Sequence, residues 1–177
     1  MYTTTFSSPV GLLTLGSDGE YITGLWVEGQ KYFGGGLAST MTPKEVAPFK
    51  LAKQWLDDYF AGAKPSPSEL PLRPAGSPFR QEVFNILCAI PYGKLLTYGE
   101  IATMIAAKRN KSTMSSQAVG GAVGHNPIAI IIPCHRVVGA KGNLTGFASG
   151  IKTKIYLLQQ EGVDMSAFYT PTRGTAL

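Results

Sequence analysis

The residues best suited to chemistry stand side by side, because Cys134, His135 and Arg136 directly follow an apolar run over residues 128–132 and Pro133. The chain has two cysteines and two histidines, and one of each is placed here. A thiolate is a good nucleophile when a nearby base or cation lowers the pKa of the thiol, and histidine is the usual agent. The tripeptide therefore fits a cysteine nucleophile. The competing interpretation is a structural cysteine beside a hydrogen-bonded histidine, since most free cysteines are small core residues.

Composition limits what the rest of the chain can be. Its 177 residues suffice for one ordinary domain or two small ones, and a hydrophobic content of 44% is that of a well-cored protein. The net charge of +5 suits a polyanionic partner, although it fits an ordinary solvated surface equally well. Two cysteines are too few for a disulfide framework. The first residues lack the features of a signal peptide and no apolar stretch approaches a membrane span, so we expect a cytoplasmic protein with no membrane partner.

The first third of the chain has the pattern of β-hairpins followed by a helix. Short apolar or β-branched runs cover residues 3–6, 12–16 and 21–27, and Asp18-Gly19 between the last two is a strong hairpin turn. Apolar residues at helical spacing predict a helix over residues 43–61. Residues 34–36, three glycines, are expected to form a flexible loop. Residues 63–78 hold five prolines and are expected to link two halves of the chain.

The second half changes to helical periodicity. Ser77 and Pro78 are a good N-cap and first helical residue, and Thr97 with Glu100 forms the pattern of a capping box. A further helix over residues 115–124 follows a polar connection, which together is the pattern of a helix-turn-helix. Three glycines in that last helix each cost about 1 kcal/mol relative to alanine. Either something external approaches this backbone closely or the helix packs tightly against another helix, and the segment alone favours neither.

The segments around the candidate nucleophile complete the pattern. Residues 128–132 are expected to form a fully buried strand that ends near Cys134, and the glycine-rich residues 139–147 to form one wall of a pocket. A last helix is predicted over residues 152–161, with Ile155, Tyr156 and Leu158 facing inward and Gly162 ending it. Residues after Asp164 are expected to be a loose tail.

The segment around Cys134 resembles the active-site signature of the O6-alkylguanine-DNA alkyltransferases. The resemblance is carried by Asn126-Pro127 and by Ile131-Ile132-Pro133-Cys134-His135-Arg136-Val137-Val138-Gly139. Further matches follow in order over residues 77–163: Phe79-Arg80-Gln81-Glu82-Val83, Tyr98-Gly99-Glu100-Ile101-Ala102, Ala118-Val119-Gly120-Gly121-Ala122 and Leu157-Leu158-Gln159-Gln160-Glu161-Gly162. The leading half matches only in its plan of strands followed by a helix.

The resemblance implies an α/β (α+β) fold of two domains. The expected domains are a ribonuclease-H-like sheet lobe over residues 1–75 and a helical, winged-helix-like domain with the helix-turn-helix over residues 77–164. Residues 165–177 would be a tail. The leading half has neither Cys nor His, the residues with which some family members bind zinc, so we expect no metal and no other cofactor.

The implied activity is repair of DNA by a protein that acts once. Cys134 would attack the alkyl carbon on O6 of guanine, with O4 of thymine left open as a second target, and would keep the alkyl group as a thioether. His135 would take the thiol proton through a water, and Glu161 would orient the imidazole, which is the logic of a nucleophile, a base and an orienting group. Asn126 would brace the turn that carries the cysteine.

The implied partner is double-stranded DNA, bound by a monomer, with the damaged base rotated out of the helix. The resemblance assigns the following residues to DNA contact: Tyr98, Gln117, Ala118, Gly120, Gly121 and Arg136. It assigns the following residues to the substrate pocket: Tyr98, Val138, Phe147, Ala148 and Ser149. Gln117 stands where the family has an arginine that fills the gap left by the rotated base, and it lacks the charge and the stacking plane of a guanidinium. Phe147 and Ser149 replace a tyrosine and a glycine.

Three other functions compete with repair. A non-catalytic sensor of alkylated DNA on the same scaffold would lack the cysteine, so Cys134 argues against it. A transcription regulator would need side chains that read base edges, and glycines at the groove-facing positions do not supply them. A cysteine hydrolase would need thiol and imidazole to meet directly, which adjacent residues rarely permit.

Overall fold

The computed structural model describes residues 1–36 and 40–170, and these fall into two compact units. Of these described residues, the first unit comprises those within 1–75 and 127–132, and the second comprises 76–126 and 133–170. Within the described ranges, no helix is both long and apolar enough to cross a membrane.

A four-stranded sheet with one helix forms the first unit. Strands β1 (Tyr2–Ser8), β2 (Gly11–Ser17) and β3 (Ile22–Val27) pair antiparallel, and the short β4 (Thr42–Pro43) pairs parallel with β1. The sheet order is β3-β2-β1-β4, and the predicted hairpins are confirmed. Helix α1 (Ala47–Phe60) packs on the sheet through an apolar face. The buried residues of that face are Phe49, Ala52, Trp55, Leu56 and Tyr59.

Two predictions for this unit need correction. Helix α1 begins at Ala47 rather than at residue 43, because the amides of Thr42 and Lys44 donate to the carbonyls of Met1 and Thr3 and hold this segment extended. The three glycines lie in a turn, with Gly34 and Gly35 in the left-handed region at φ 73° and 57°. The proline-rich segment is not a free linker throughout, since Leu70 is buried and the backbone of Ile22 bonds to residues 71 and 73.

The apolar run over residues 128–132 is buried as predicted but is not a strand. Ile128 makes a single bridge to Leu25, after which the chain turns, with Ile130 in the left-handed region at φ 69°. The amide of Ile132 donates to the carbonyl of Ile128 across this turn. A short run of apolar residues indicates that a segment is buried, but it does not by itself distinguish a strand from other buried conformations.

Helices dominate the second unit. They are α2 (Pro78–Cys88), α3 (Tyr98–Lys108), α4 (Ser116–Gly124) and α5 (Ile151–Gln160), and α2, α3 and α4 pack against one another. Helices α3 and α4, joined by residues 109–115, form the predicted helix-turn-helix. Two short strands, β5 (Leu96–Thr97) and β6 (Val137–Val138), pair parallel.

Local signals set the ends of these helices as expected. The Ser77 side chain accepts from the Arg80 amide at the start of α2, and Thr97 and Glu100 form a complete capping box at the start of α3. Gly162 follows α5 with φ 76°, the left-handed conformation that glycine tolerates best.

The end of the described chain differs from the prediction. Tyr156 is 36% exposed rather than inward, and the buried positions of α5 are Lys154, Leu157 and Leu158. Residues 164–169 are not a loose tail. They form a 3-10 turn (Met165–Ala167) and a bridge between Tyr169 and Asn143, while residues 171–177 lie outside the described part of the chain.

Candidate active site

The pairing of β5 with β6 places the candidate nucleophile near the start of α3. Cys134 opens a 3-10 turn (Cys134–Arg136) that runs directly into β6, and β5 runs directly into Tyr98. Cys134 is only 6% exposed. A parallel register of Leu96 with Val137 therefore brings the ends of two separate chain segments together.

The thiol of Cys134 is held as a neutral group in the resting protein. Burial raises its pKa, opposed by a hydrogen bond that Asn126 Nδ2 donates to Sγ at 3.1 Å and by the positive charge of Lys154. The donor on Sγ stabilises negative charge, so the surroundings favour the thiolate once the proton has been removed. The bracing role expected for Asn126 is thus accompanied by direct contact with the sulfur.

A buried network of three charged or titratable side chains lies behind the cysteine. His135 Nε2 contacts Glu161 Oε1 at 2.7 Å, and Arg136 donates to the same carboxylate from Nε at 2.9 Å and from its terminal nitrogen at 3.0 Å. The amide of Gly93 donates to Glu161 Oε2 at 2.8 Å, and Arg136 also donates to the Ile90 carbonyl at 2.6 Å. The carboxylate therefore fixes both residues that follow the nucleophile.

The protonation states of this network suit a base next to a thiol. Burial by itself would raise the pKa of Glu161, but the hydrogen bonds and charges of His135 and Arg136 lower it to about 2. Burial lowers the pKa of His135, opposed by its bond to Glu161, so the imidazole is neutral near pH 7. Because Nε2 is directed at an ionised carboxylate, the proton of the neutral ring belongs on Nε2 and the lone pair on Nδ1.

A second set of contacts forms the wall beside Tyr98. The Tyr98 hydroxyl donates to the Thr145 carbonyl at 3.0 Å, and Lys154 Nζ donates to the same carbonyl at 3.0 Å and to that of Val137 at 2.5 Å. A Cβ at Gly146 would lie 2.6 Å from the Tyr98 oxygen, so only glycine fits there. Burial raises the pKa of Tyr98 well above its usual value, which keeps the phenol protonated.

An open cavity of about 590 Å³, termed the site cavity, lies between the start of α3, α4 and this wall. Its lining residues are Thr97, Tyr98, Gly99, Ser116, Gln117, Gly120, Gly121, Ala140, Thr145 and Gly146. Four of the residues expected at DNA or substrate therefore meet in one place: Tyr98, Gln117, Gly120 and Gly121.

The other residues assigned to the substrate pocket do not line the site cavity. Of Tyr98, Val138, Phe147, Ala148 and Ser149, Tyr98 alone lines it, and Cys134 is not among its lining residues. Phe147 presents its ring edge-on to His135 with centroids 6.5 Å apart. Val138 packs with Leu144 and Leu158 in a small core, and Ala148 and Ser149 are half-buried just before α5.

Helix α4 carries three glycines whose lack of a side chain is not required by packing inside the protein. A Cβ at Gly121 or Gly124 would meet nothing within 4 Å, and one at Gly120 would reach ordinary contact with the Tyr98 ring at 3.8 Å. Tight packing against a neighbouring helix thus does not account for these glycines. Gln117 and Ala118 are exposed on the same helix, so the surface is open to an external partner.

Two cations have roles that sequence reasoning missed. Arg136 was assigned to DNA contact, but it is 5% exposed and its guanidinium is committed to Glu161 and Ile90, so its place is not that of a DNA ligand. Lys154 was not considered, yet it is fully buried, and burial lowers its pKa to about 8. The signal for Lys154 was its spacing, because it lies three and four residues before Leu157 and Leu158 on the buried face of α5.

Both halves of the chain match models of one protein family. Residues 78–163 match the family model described as 6-O-methylguanine DNA methyltransferase, DNA binding domain, and residues 1–74 match its ribonuclease-like domain. A methylated-DNA–protein-cysteine methyltransferase of Haemophilus influenzae is 40% identical over 168 residues, covering 92% of this chain and 87% of that protein. One from Mycobacterium tuberculosis is 44% identical over 158 residues, covering 89% and 90%.

A solved structure extends the likeness to three dimensions. The crystal structure of Mycobacterium tuberculosis OGT in complex with DNA has a TM-score of 0.81 and 41% identity, and the match covers 92% of this chain and 93% of that one. Family matches over both halves, close relatives over most of the length and a shared fold lead to one conclusion: the chain belongs to the 6-O-methylguanine DNA methyltransferase family.

Proposed function

We propose that the protein repairs DNA by transferring an alkyl group from O6 of guanine to Sγ of Cys134, once per molecule. The observation that carries the proposal is the arrangement around the thiol, in which Asn126 donates to Sγ while Glu161 holds the neutral His135. The names of the relatives, methylated-DNA–protein-cysteine methyltransferases, support the same reaction. The substrate is double-stranded DNA, and the protein acts as a cytoplasmic monomer without a cofactor.

The reaction is a single displacement at the alkyl carbon, with the thiolate of Cys134 as nucleophile and guanine as leaving group. His135 Nδ1 takes the proton of the Cys134 thiol through a water, while Nε2 remains bound to Glu161. The new Sγ–C bond forms as the O6–C bond breaks, and the electron pair of the broken bond stays on guanine. Guanine then takes up one proton, which balances the proton lost by the thiol. A thioether has no route back to the thiol by hydrolysis, so the protein is consumed.

The buried carboxylate network lowers the free-energy cost of moving the proton to a buried histidine. Protonating His135 places a positive charge in the interior, where an unpaired charge would be strongly disfavoured. Glu161, already ionised because of its low pKa, lies 2.7 Å from that ring and stabilises the imidazolium. Glu161 is therefore a positioning and charge-balancing residue, while Cys134 is the nucleophile.

The site cavity, lined by Tyr98, Gln117, Gly120 and Gly121, offers space beside the start of α3 for a base rotated out of a duplex. The target nucleotide rotates out of the stack at a cost of a few kcal/mol. Helix α4 approaches the minor groove with the backbone of Gly120 and Gly121, because bare glycines allow closer approach than side chains. Gln117 at the edge of the cavity fills the space left in the stack, Ala118 lies against the groove, and Tyr98 assists the rotation at the phosphate.

Covalent labelling with a fluorescent O6-benzylguanine tests this function. The wild-type protein and a Cys88→Ser control should be labelled to one group per chain, and Cys134→Ser should remain unlabelled while still binding duplex DNA. Absence of label on the wild type would instead favour the non-catalytic sensor. Label on Cys134→Ser would show that the nucleophile has been assigned to the wrong residue.

A further inference from the structure

Three basic residues, Lys108, Arg109 and Lys111, lie at the turn of the helix-turn-helix, and they differ in whether they form ion pairs. Lys108 and Arg109 both reach the carboxylate of Glu82, with Arg109 bound at 2.7 Å and Lys108 at 3.6 Å. Lys111, three residues further on, is exposed, and within the described ranges it forms no ion pair. One of the cations in this run is therefore left to act on an external anion.

Lys111 lies at a second concavity, termed the turn hollow, with a volume of about 420 Å³. Its lining residues are Gly99, Ala102, Thr103, Ala106, Ala107, Lys111, Ser112, Thr113, Met114 and Ser116. Thr103 donates its hydroxyl proton to the Gly99 carbonyl. The hydroxyls of Ser112, Thr113 and Ser116 make no hydrogen bond among the residues that the structure describes, so they can donate to an incoming group.

The turn hollow adjoins the site cavity and shares two lining residues with it. Gly99 and Ser116 line both concavities, one from the start of α3 and the other from the start of α4. Among the residues that line the two, Lys111 alone carries a charge. The two concavities together thus extend from Gln117 and Tyr98, past Gly99 and Ser116, to the concavity that Lys111 lines together with hydroxyl-bearing residues.

We propose that the turn hollow binds a backbone phosphate of the DNA strand that enters the site cavity, with Lys111 as the cation and Ser112, Thr113 and Ser116 as hydroxyl donors. This inference rests on the proposed function, because it assumes that DNA occupies the site cavity. A phosphodiester is the anion that fits, since it presents two oxygens to donors and recurs at regular intervals along a strand. The contact fixes the register of the strand and carries no sequence information.

Salt dependence of binding tests the site directly. In the Cys134→Ser background, which keeps the DNA unaltered, Lys111→Gln should reduce the slope of log K against log salt by about 0.9, the value for one lost phosphate contact. Lys108→Gln is the matched control, because it removes the same charge three residues away from a side chain already paired with Glu82, and it should leave the slope close to that of the parent. An equal loss in both variants, or no loss in either, would overturn the proposal.

Replacing one phosphate of the DNA at a time by an uncharged analogue locates the phosphate that Lys111 contacts. Methylphosphonates placed one at a time along the lesion strand should reveal one position, within a few nucleotides of O6-methylguanine, at which the parent loses affinity and Lys111→Gln does not. If every position weakens both proteins equally, Lys111 contacts no particular phosphate and the proposal is wrong. Labelling of the wild type by O6-benzylguanine, measured in parallel, separates this failure from failure of the proposed function, since it requires no DNA.

Discussion

Replacing Glu161 by Gln should destabilise the protein strongly, although the two side chains have almost the same shape. The similar shape alone would suggest that this substitution slows transfer while sparing the fold. The structure changes that expectation, because the carboxylate accepts hydrogen bonds from Arg136, His135 and the Gly93 amide. An amide supplies one acceptor oxygen and turns an NH2 group toward N–H donors that then lack a partner.

The size of the effect follows from the buried charge that remains. Arg136 is 5% exposed, so its guanidinium loses its counterion in a place that water scarcely reaches. Two opposite charges about 4 Å apart at an effective dielectric constant of about 20 attract by about 4 kcal/mol. Breaking a buried pair by removing one partner typically costs about 3–5 kcal/mol. We therefore expect Glu161→Gln to lose about 4 kcal/mol of unfolding free energy, measured by urea denaturation at pH 7.

Two further measurements give this prediction a sharp signature. Glu161→Gln combined with Arg136→Met removes both charges, so the double variant should be more stable than the sum of the single effects predicts, by at least about 1 kcal/mol. The folded pKa of Glu161 is depressed from 4.5 to about 2, so its stabilisation is complete above pH 4.5 and is lost as the pH falls through about 2. The difference between wild type and Glu161→Gln should shrink over that window. A loss below about 1 kcal/mol at pH 7, or additive single effects, would refute the reasoning.

Three other perturbations follow from named contacts. Gln117→Arg should raise the ratio of the single-turnover rate on duplex O6-methylguanine to that on free O6-benzylguanine several-fold, and an unchanged ratio would remove Gln117 from base rotation. Gly142→Ala should lower the thermal unfolding temperature more than Gly162→Ala does. Both glycines have φ near 80°, but of the two only a Cβ at Gly142 would collide with a backbone carbonyl. Equal decreases in unfolding temperature would contradict this. The folded pKa of Lys154 is about 8 against an ordinary 10.5, so the unfolded state holds more protons between these values and stability should rise with pH there. In a Cys134→Ser background that rise should vanish with Lys154→Met, and its persistence would assign the titration to another group.

Features set by neighbours in sequence could be predicted from the sequence. The starts of α2 and α3 follow from Ser77 and Thr97, whose side chains bond to amides three residues away. The Asp18-Gly19 turn joins β2 to β3, and Gly162 ends α5, for the same local reason. In each case the residues that determine the conformation lie within one turn of the chain, so the pattern alone carries the information.

Features set by distant partners could not be predicted in the same way. The carboxylate that binds Arg136 belongs to Glu161, 25 residues away. The residues next to Arg136 in the sequence do not indicate that its charge is buried. The residues after Asp164 looked polar and loose, yet Tyr169 pairs with Asn143 through two backbone bonds that involve Gly142 and Leu144. Apolar composition revealed that residues 128–132 are buried but not that Ile130 turns the chain. Such features depend on contacts that exist only after folding.

The resemblance to a family supplied the site residues that patterns could not. Periodicity marked Glu161 only as the end of a helix, whereas the resemblance linked it to His135, and the two lie 2.7 Å apart. The pocket roles that the resemblance assigns to Phe147 and Ser149 stay predictions, and neither residue lines the site cavity.

The intact mass of the protein after reaction with O6-methylguanine DNA tests the central claim most directly. The protein is incubated with a slight excess of a duplex that contains one O6-methylguanine, and its mass is then measured before and after proteolysis. The account predicts that each chain gains the mass of one CH2, because a methyl group replaces the thiol hydrogen. The gain should be located on the peptide that contains Cys134, with guanine restored in the DNA. An unchanged protein mass, or a gain located on the peptide that contains Cys88, would contradict it.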